Sequence, residues 1–200
     1  LFEGLTRIDE NNTPQPALAE SWDISPDGLT YTFHLRKEIK WSDGTPITAN
    51  DFLYSWLRVL DPKTGCGNSY MLFDILNAEA YNSEKAKADD VGIKVIDDHT
   101  LQVVLAAPAP YFINLTAFHA FYPVPKHVVD AAPDTWASNY DKIIGCGPYK
   151  IINWAHSNEI MLEKNENYWN ADVVKSQWVK LPISESKSTR LTMLENNLTD

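Results

Sequence analysis

The sequence predicts a mixed α/β fold, and three observations carry that prediction. Tyr31, Phe33 and Leu35 alternate with Thr32, His34 and Arg36, the period-2 pattern of a half-buried strand, and a turn and a helical pattern follow at once. Residues 93–105 form two β-prone runs around Asp97-Asp98-His99. Residues 149–163 repeat that arrangement around His156-Ser157-Asn158.

Taken in order, Phe2-Glu3-Gly4-Leu5-Thr6-Arg7-Ile8 reads as the end of a helix or strand turning at Gly4. The run from Asp9 to Pro14 is a turn, and Pro14 and Pro16 keep the next piece extended. Residues 17–22 read as one helical turn that delivers Trp22 to the core. Ser25-Pro26-Asp27-Gly28 is hairpin chemistry between a short strand at Trp22-Asp23-Ile24 and the strand from Thr30. Ser42-Asp43-Gly44-Thr45-Pro46 is the turn that follows it.

Thr48 stands three residues before Asp51, close to a capping box, and such a cap contributes about 1 kcal/mol. Phe52, Leu53, Trp56, Leu57 and Leu60 then share one apolar helix face. Asp61-Pro62-Lys63-Thr64-Gly65 stops that helix, and a glycine-rich loop runs to Ser69. Residues 70–82 read as a second helix burying Tyr70, Met71, Phe73, Ile75, Leu76 and Ala80.

Residues 83–90 are charged and face solvent. In the next hairpin Leu101, Val103 and Leu105 point one way. Pro108 and Pro110 end it, and residues 111–117 form a short helix. Pro123-Val124-Pro125 is a stiff connector and the best domain boundary. Residues 126–131 read as a short helix, and residues 134–140 as a loop around Trp136. A second sheet follows, with strands at 149–154, 159–163 and 178–183 and a loop bearing Tyr168 and Trp169. Residues 188–196 close the chain as a helix with Leu191 and Leu194 inward.

Composition narrows the function. An apolar share of 44% supports a core, and a formal charge of −10 speaks against an electrostatic footprint for nucleic acid. Lys and Arg are scattered, so no polybasic run addresses a membrane, and no apolar run approaches a membrane span. Most of the seven Trp and nine Tyr read as packing between layers, with some left to line a cleft.

Five histidines, His34, His99, His119, His127 and His156, show no metal-ligand spacing, and no cofactor is nominated. Cys66 and Cys146 each sit between glycines. A disulfide between them suits an oxidising compartment, and two unpaired thiols are the alternative. Asp89-Asp90 and Asp97-Asp98 are turn carboxylates, which do not supply the split pair that acid–base work needs. Cys146 has no evident base, so a hydrolase using it is the weaker alternative and no enzyme activity is expected. The glycine-edged loops 65–70 and 145–149 suit a different task. Glycine lets backbone approach backbone, and an extended peptide is gripped through its main-chain N–H and C=O groups.

An ordered series of motifs then carries a family resemblance. It comprises Ala19-Glu20-Ser21-Trp22, the strand from Asp27 to Arg36, Lys40-Trp41-Ser42-Asp43-Gly44-Thr45-Pro46, Asp61-Pro62-Lys63-Thr64, Asp97-Asp98-His99-Thr100, Pro108-Ala109-Pro110-Tyr111-Phe112, Pro123-Val124-Pro125-Lys126, Gly147-Pro148-Tyr149 and Tyr168-Trp169. The series resembles the extracellular solute-binding proteins of family 5, the oligopeptide- and dipeptide-binding proteins of ABC importers. It departs at Cys146, where the family usually carries a small or polar residue.

The resemblance implies a periplasmic binding protein-like type II fold, of which this chain is an incomplete piece of one lobe. Residues 1–125 would be the smaller lobe-associated domain, and residues 126–200 part of the larger one. It implies capture of oligopeptides outside the membrane, in the periplasm or at the cell surface, and delivery to permease subunits. Nickel or haem are the alternative solutes. It implies that Asn68, Ser69 and Tyr70 in the first loop and Gly145, Cys146, Gly147 and Tyr149 in the second face the peptide. Two loops on one cleft would also bring Cys66 and Cys146 together.

Overall fold

The computed structural model describes residues 1–196. A small antiparallel pair opens it, β1 (Thr6–Ile8) against β2 (Pro14–Pro16), with Thr6 opposite Pro16. Proline cannot donate to a ladder, so it is confined to edges and ends such as these. A four-stranded antiparallel sheet follows, built from β3 (Ala19–Ile24), β4 (Thr30–Leu35), β5 (Ile93–Asp97) and β6 (Thr100–Val104) in the order β3-β4-β6-β5.

The helical turn expected at 17–22 does not form: residues 19–22 are the beginning of β3, and Ala17 and Leu18 bend into it. Trp22 lies opposite Phe33 and Asp23 opposite Thr32, so the ladder supplies β4 with partners along that edge. Backbone pairing outweighs the weak local helix preference of Ala17-Leu18-Ala19. Trp22 is half-buried at the core's margin rather than inside it.

The alternation in β4 is realised: Tyr31, Phe33 and Leu35 are buried, and so are Leu101 and Val103 opposite them on β6. Helix α1 (Ala49–Leu60) covers this face with Phe52, Trp56 and Leu60 buried and Leu53 and Leu57 packed at its flanks. The Thr48 N–H donates to the Asp51 carboxylate at 2.8 Å, the return half of a capping box. Trp56 stacks edge-on to Phe121, ring centres 5.1 Å apart, and its indole N–H donates to the Phe121 carbonyl at 2.8 Å. Each such ring stabilises the fold by roughly 2–3 kcal/mol through burial alone.

The single helix expected over 70–82 is broken. A 3₁₀ turn, Ser69–Leu72, is separated from α2 (Ala78–Asn82) by Asn77 in the left-handed region at φ 59°. The break has a cause in the sheet. Ile75 bridges to Leu105, and the Leu76 N–H donates to the Val104 carbonyl, which pulls the chain out of helical register. Tyr70 and Leu76 consequently lie exposed rather than buried.

Helix α3 (Phe112–Leu115) closes the core with Phe112. Helix α4 (Lys126–Ala131) follows the Pro123-Val124-Pro125 segment, which Ser55 ties to α1 by accepting the Val124 N–H at 2.8 Å. The second sheet is β7 (Tyr149–Ala155), β8 (Glu159–Lys164) and β9 (Trp178–Pro182), all antiparallel. Helix α5 (Lys187–Glu195) forms as expected, yet Leu191 and Leu194 are exposed, because no described element packs across them.

Candidate functional site

The first glycine-edged loop is shaped by its ends. The Asp61 carboxylate accepts the Lys63 N–H at 2.9 Å, and Gly65 takes φ 63°, a left-handed conformation that favours glycine. The chain then turns upward through Ser69 into the 3₁₀ turn. Asn68 Nδ2 donates to His119 Nε2 at 3.2 Å, and Phe118 and His119 rings lie 4.0 Å apart. Tyr70 is 61% exposed and Tyr111 56%, while the Tyr111 hydroxyl donates to Asp74 Oδ1 at 3.1 Å. Asn68, Ser69 and Tyr70 therefore stand beside His119 at an open face bearing aromatic rings and polar edges.

The second loop has the opposite character. The Gly145 carbonyl accepts the Ser42 N–H at 2.8 Å, and its own N–H donates to Ser42 Oγ at 3.3 Å. The Gly147 N–H donates to the Leu1 carbonyl at 2.8 Å, and its carbonyl accepts from Asn165 Nδ2 at 2.9 Å. A Cβ at Gly145 would fall onto the Leu1 carbonyl oxygen, and one at Gly147 would lie 2.8 Å from the Leu1 carbonyl carbon. Glycine here serves a close crossing of two chain segments. The Tyr149 hydroxyl donates to the Ser176 carbonyl at 3.1 Å.

Cys146 is 1% exposed, and its sulfur accepts the Glu3 N–H at 3.3 Å. Burial pushes its thiol pKa up to about 12. Cys66, half-buried in the first loop, is likewise a free thiol, so the disulfide weighed from the sequence is not formed. Among the described residues no hydrogen bond joins the two loops. The first is held by His119, the second by Leu1, Ser42 and Asn165.

A cluster that sequence reasoning missed lies beneath the second loop. Glu3, 9% exposed, accepts from the Tyr168 hydroxyl at 2.9 Å and from Trp169 Nε1 at 2.6 Å. Arg36 stacks on the Trp169 ring at 3.8 Å from its centre, and Arg7 lies 5.7 Å away. Burial raises the Glu3 carboxyl above its ordinary value, against the lowering effect of those hydrogen bonds and of both arginines. The paired aromatics in the 165–170 loop were the one available signal.

The histidines are engaged separately. His34 meets Asp23 at 2.8 Å, His127 meets Asp43 at 2.9 Å, and His119 meets Asn68. Among the described residues no group of three His, Cys, Asp or Glu side chains is arranged to hold a metal ion, and no helix is long and apolar enough to cross a membrane.

An antiparallel sheet under a capped helix is thus joined to a second sheet through a buried seam, with tyrosine rings open to solvent in the first part. Residues 13–200 match the model of the bacterial extracellular solute-binding proteins, family 5 Middle, and the chain belongs to that family. It is 40% identical over 200 residues to the dipeptide-binding protein DppE of Bacillus subtilis, covering all of this chain and 37% of that protein. It is 41% identical to the periplasmic oligopeptide-binding protein OppA of Salmonella typhimurium, covering 99% of this chain and 38% of that protein.

Among solved structures, it superimposes on the substrate-binding domain of an oligopeptide ABC transporter from Bacillus anthracis with a TM-score of 0.96 at 38% identity, covering 100% of this chain and 38% of that one. On peptide-bound OppA of Listeria monocytogenes the TM-score is 0.95 at 35% identity, covering 100% of this chain and 40% of that one. The chain thus spans well under half the length of these relatives. The mixed α/β fold is the periplasmic binding protein fold, represented here by part of a lobe.

Proposed function

We propose that these residues form one wall of the cleft in a substrate-binding component of an ABC peptide importer. The protein would capture oligopeptides outside the cytoplasmic membrane, in the periplasm or at the cell surface, and hand them to permease subunits by closure of two lobes. The observation that carries this reading is the exposed Tyr70 beside Asn68, in a chain whose whole length superimposes on a peptide-bound relative. An aromatic ring and an amide at a rigid turn offer a peptide both a stacking surface and main-chain hydrogen bonds.

Asn68, Ser69 and Tyr70 are the contacts in this reading. Gly145, Cys146, Gly147 and Tyr149 support the wall from behind, since the hydrogen bonds of that loop are already directed inward. The smaller lobe-associated domain is residues 1–125, and residues 126–200 contribute to the larger one. That division is supported by the four-stranded sheet lying before Pro125 and the three-stranded sheet after it. No enzyme activity enters the proposal: the relatives are binding proteins, and the Cys146 thiol is buried and held protonated.

Native mass spectrometry of the full-length protein tests the reading. Retained peptides are expected, and Tyr70→Ala should reduce their occupancy. A full-length protein that is folded and neither retains nor binds any peptide from a mixed tri- to pentapeptide pool would sink it.

A further inference from the structure

Next to the Tyr70 platform lies a carboxylate without a role in the fold's ion pairs. Asp74 lies four residues beyond Tyr70, just past the 3₁₀ turn, where the Tyr70 carbonyl accepts the Phe73 N–H and the Leu72 carbonyl accepts the Ile75 N–H. Its backbone is fixed to the main sheet: the Asp74 carbonyl accepts the Ala106 N–H at 2.8 Å, and Ile75 bridges to Leu105. One carboxylate oxygen accepts the Tyr111 hydroxyl at 3.1 Å. Among the described residues Asp74 has no ion-pair partner. Both tyrosines are more than half exposed, at 61% and 56%.

We propose that Asp74, bonded to the exposed Tyr111 and four residues beyond Tyr70, is a specificity subsite for a cationic side chain of the bound peptide. The inference rests on the peptide-binding reading and adds a preference to it. A carboxylate with one oxygen already bonded and the other open is an oriented acceptor for a lysine ammonium or an arginine guanidinium. Exposed phenol rings add attraction for the same cations through their electron-rich faces. A main-chain grip alone would be indifferent to side chains; this group is not part of it. The formal charge of −10 further favours the approach of cationic peptides.

The test uses the full-length protein and calorimetry with two peptide pairs at tri- and pentapeptide length. Each pair differs only by a central lysine or the neutral, similarly sized norleucine. The unaltered protein should bind the lysine peptide of at least one pair about tenfold tighter, a ratio equal to one decade of affinity. Asp74→Asn should bring the ratio near one by weakening the lysine peptides alone, and Tyr111→Phe should lower it partly.

Comparable affinity for lysine and norleucine in the unaltered protein overturns the cationic subsite and leaves peptide capture standing. The same holds for a preference that survives Asp74→Asn. A protein that binds none of the four peptides overturns the subsite. If it binds nothing from the mixed pool either, peptide capture falls with it. The norleucine peptides report whether either variant is still folded and competent.

Discussion

Glu3 and Trp169 stand 166 residues apart in sequence and are joined by a hydrogen bond of 2.6 Å from the indole Nε1 to the carboxylate. Tyr168 occupies the other carboxylate oxygen at 2.9 Å, and Arg36 covers the outer face of the indole. The opening segment of the chain is thereby latched to the loop that follows β8. The same segment closes over Cys146 and Gly147, so this seam depends on one buried acid.

Removing that acid should loosen the seam. Glu3→Ala leaves the Tyr168 hydroxyl and the Trp169 N–H without their acceptor, and the expected loss of stability is about 3 kcal/mol. Glu3→Gln keeps one acceptor and should recover more than half of it. Urea unfolding followed by tryptophan fluorescence checks this, and equal midpoints for Ala and the unaltered protein would show that the latch contributes nothing.

The same carboxyl gives stability a pH dependence of defined sign. Its value in the fold is raised by burial, so it keeps its proton to higher pH than in the unfolded chain. Between the ordinary value of 4.5 and the raised one, folding takes up a proton, and stability falls as pH rises. The stability difference between the unaltered protein and Glu3→Gln should therefore decline with pH above 4.5 and level off beyond the raised value. The comparison cancels groups that shift the other way, such as Asp9, Asp27 and Asp97. A flat or rising difference curve contradicts the assignment.

The two glycine-edged loops should respond differently to alanine. Gly145→Ala sets a methyl on the Leu1 carbonyl and should cost roughly 2 kcal/mol, the scale of an overpacked buried site. Gly67→Ala meets nothing within 4 Å and should leave stability unchanged. Thermal melts of the two variants decide; similar shifts would mean that the seam yields easily or that the open loop is more constrained than its geometry indicates.

Thiol chemistry separates Cys66 from Cys146. Cys146 is buried with its pKa held up to about 12, so it should resist iodoacetamide at neutral pH, while Cys66 is modified. Mass spectrometry should count one adduct under native conditions and two after denaturation and reduction. Fast native alkylation of Cys146 would revive the hydrolase alternative; no adduct after denaturation without reductant, and two once reductant is added, would indicate a disulfide.

Much of the architecture was legible because it is written in local periodicity. The β4 alternation, the Thr48 cap, the hairpins at 93–104 and 149–164 and the position of α5 all follow from neighbours in sequence. The errors arise where a distant partner outweighs local preference. Residues 19–22 became strand because β4 needed an edge partner, and 70–82 broke because the chain beside Leu105 and Val104 captured Ile75 and Leu76. Exposed Leu191 and Leu194 reverse an inward expectation, since periodicity names an apolar face without naming what covers it.

The candidate site divides the same way. Asn68, Ser69 and Tyr70 are nominated by their glycine-edged loop and the family resemblance, and Tyr70 is an open ring. The same signals also nominate Gly145, Gly147 and Tyr149, with Cys146 set apart as a departure from the family's pattern, because a glycine-edged loop looks alike in a binding site and in a tight crossing. By itself the sequence determined the α/β class, the family and the strand and helix periodicities, all of which depend on residues near one another along the chain. Only the tertiary structure decided that Glu3 meets Trp169, that Cys146 lies buried in the seam, and that Asp74 accepts the Tyr111 hydroxyl. Those relations depend on contacts closed across dozens of residues or more, and no local pattern records which distant group will fill them.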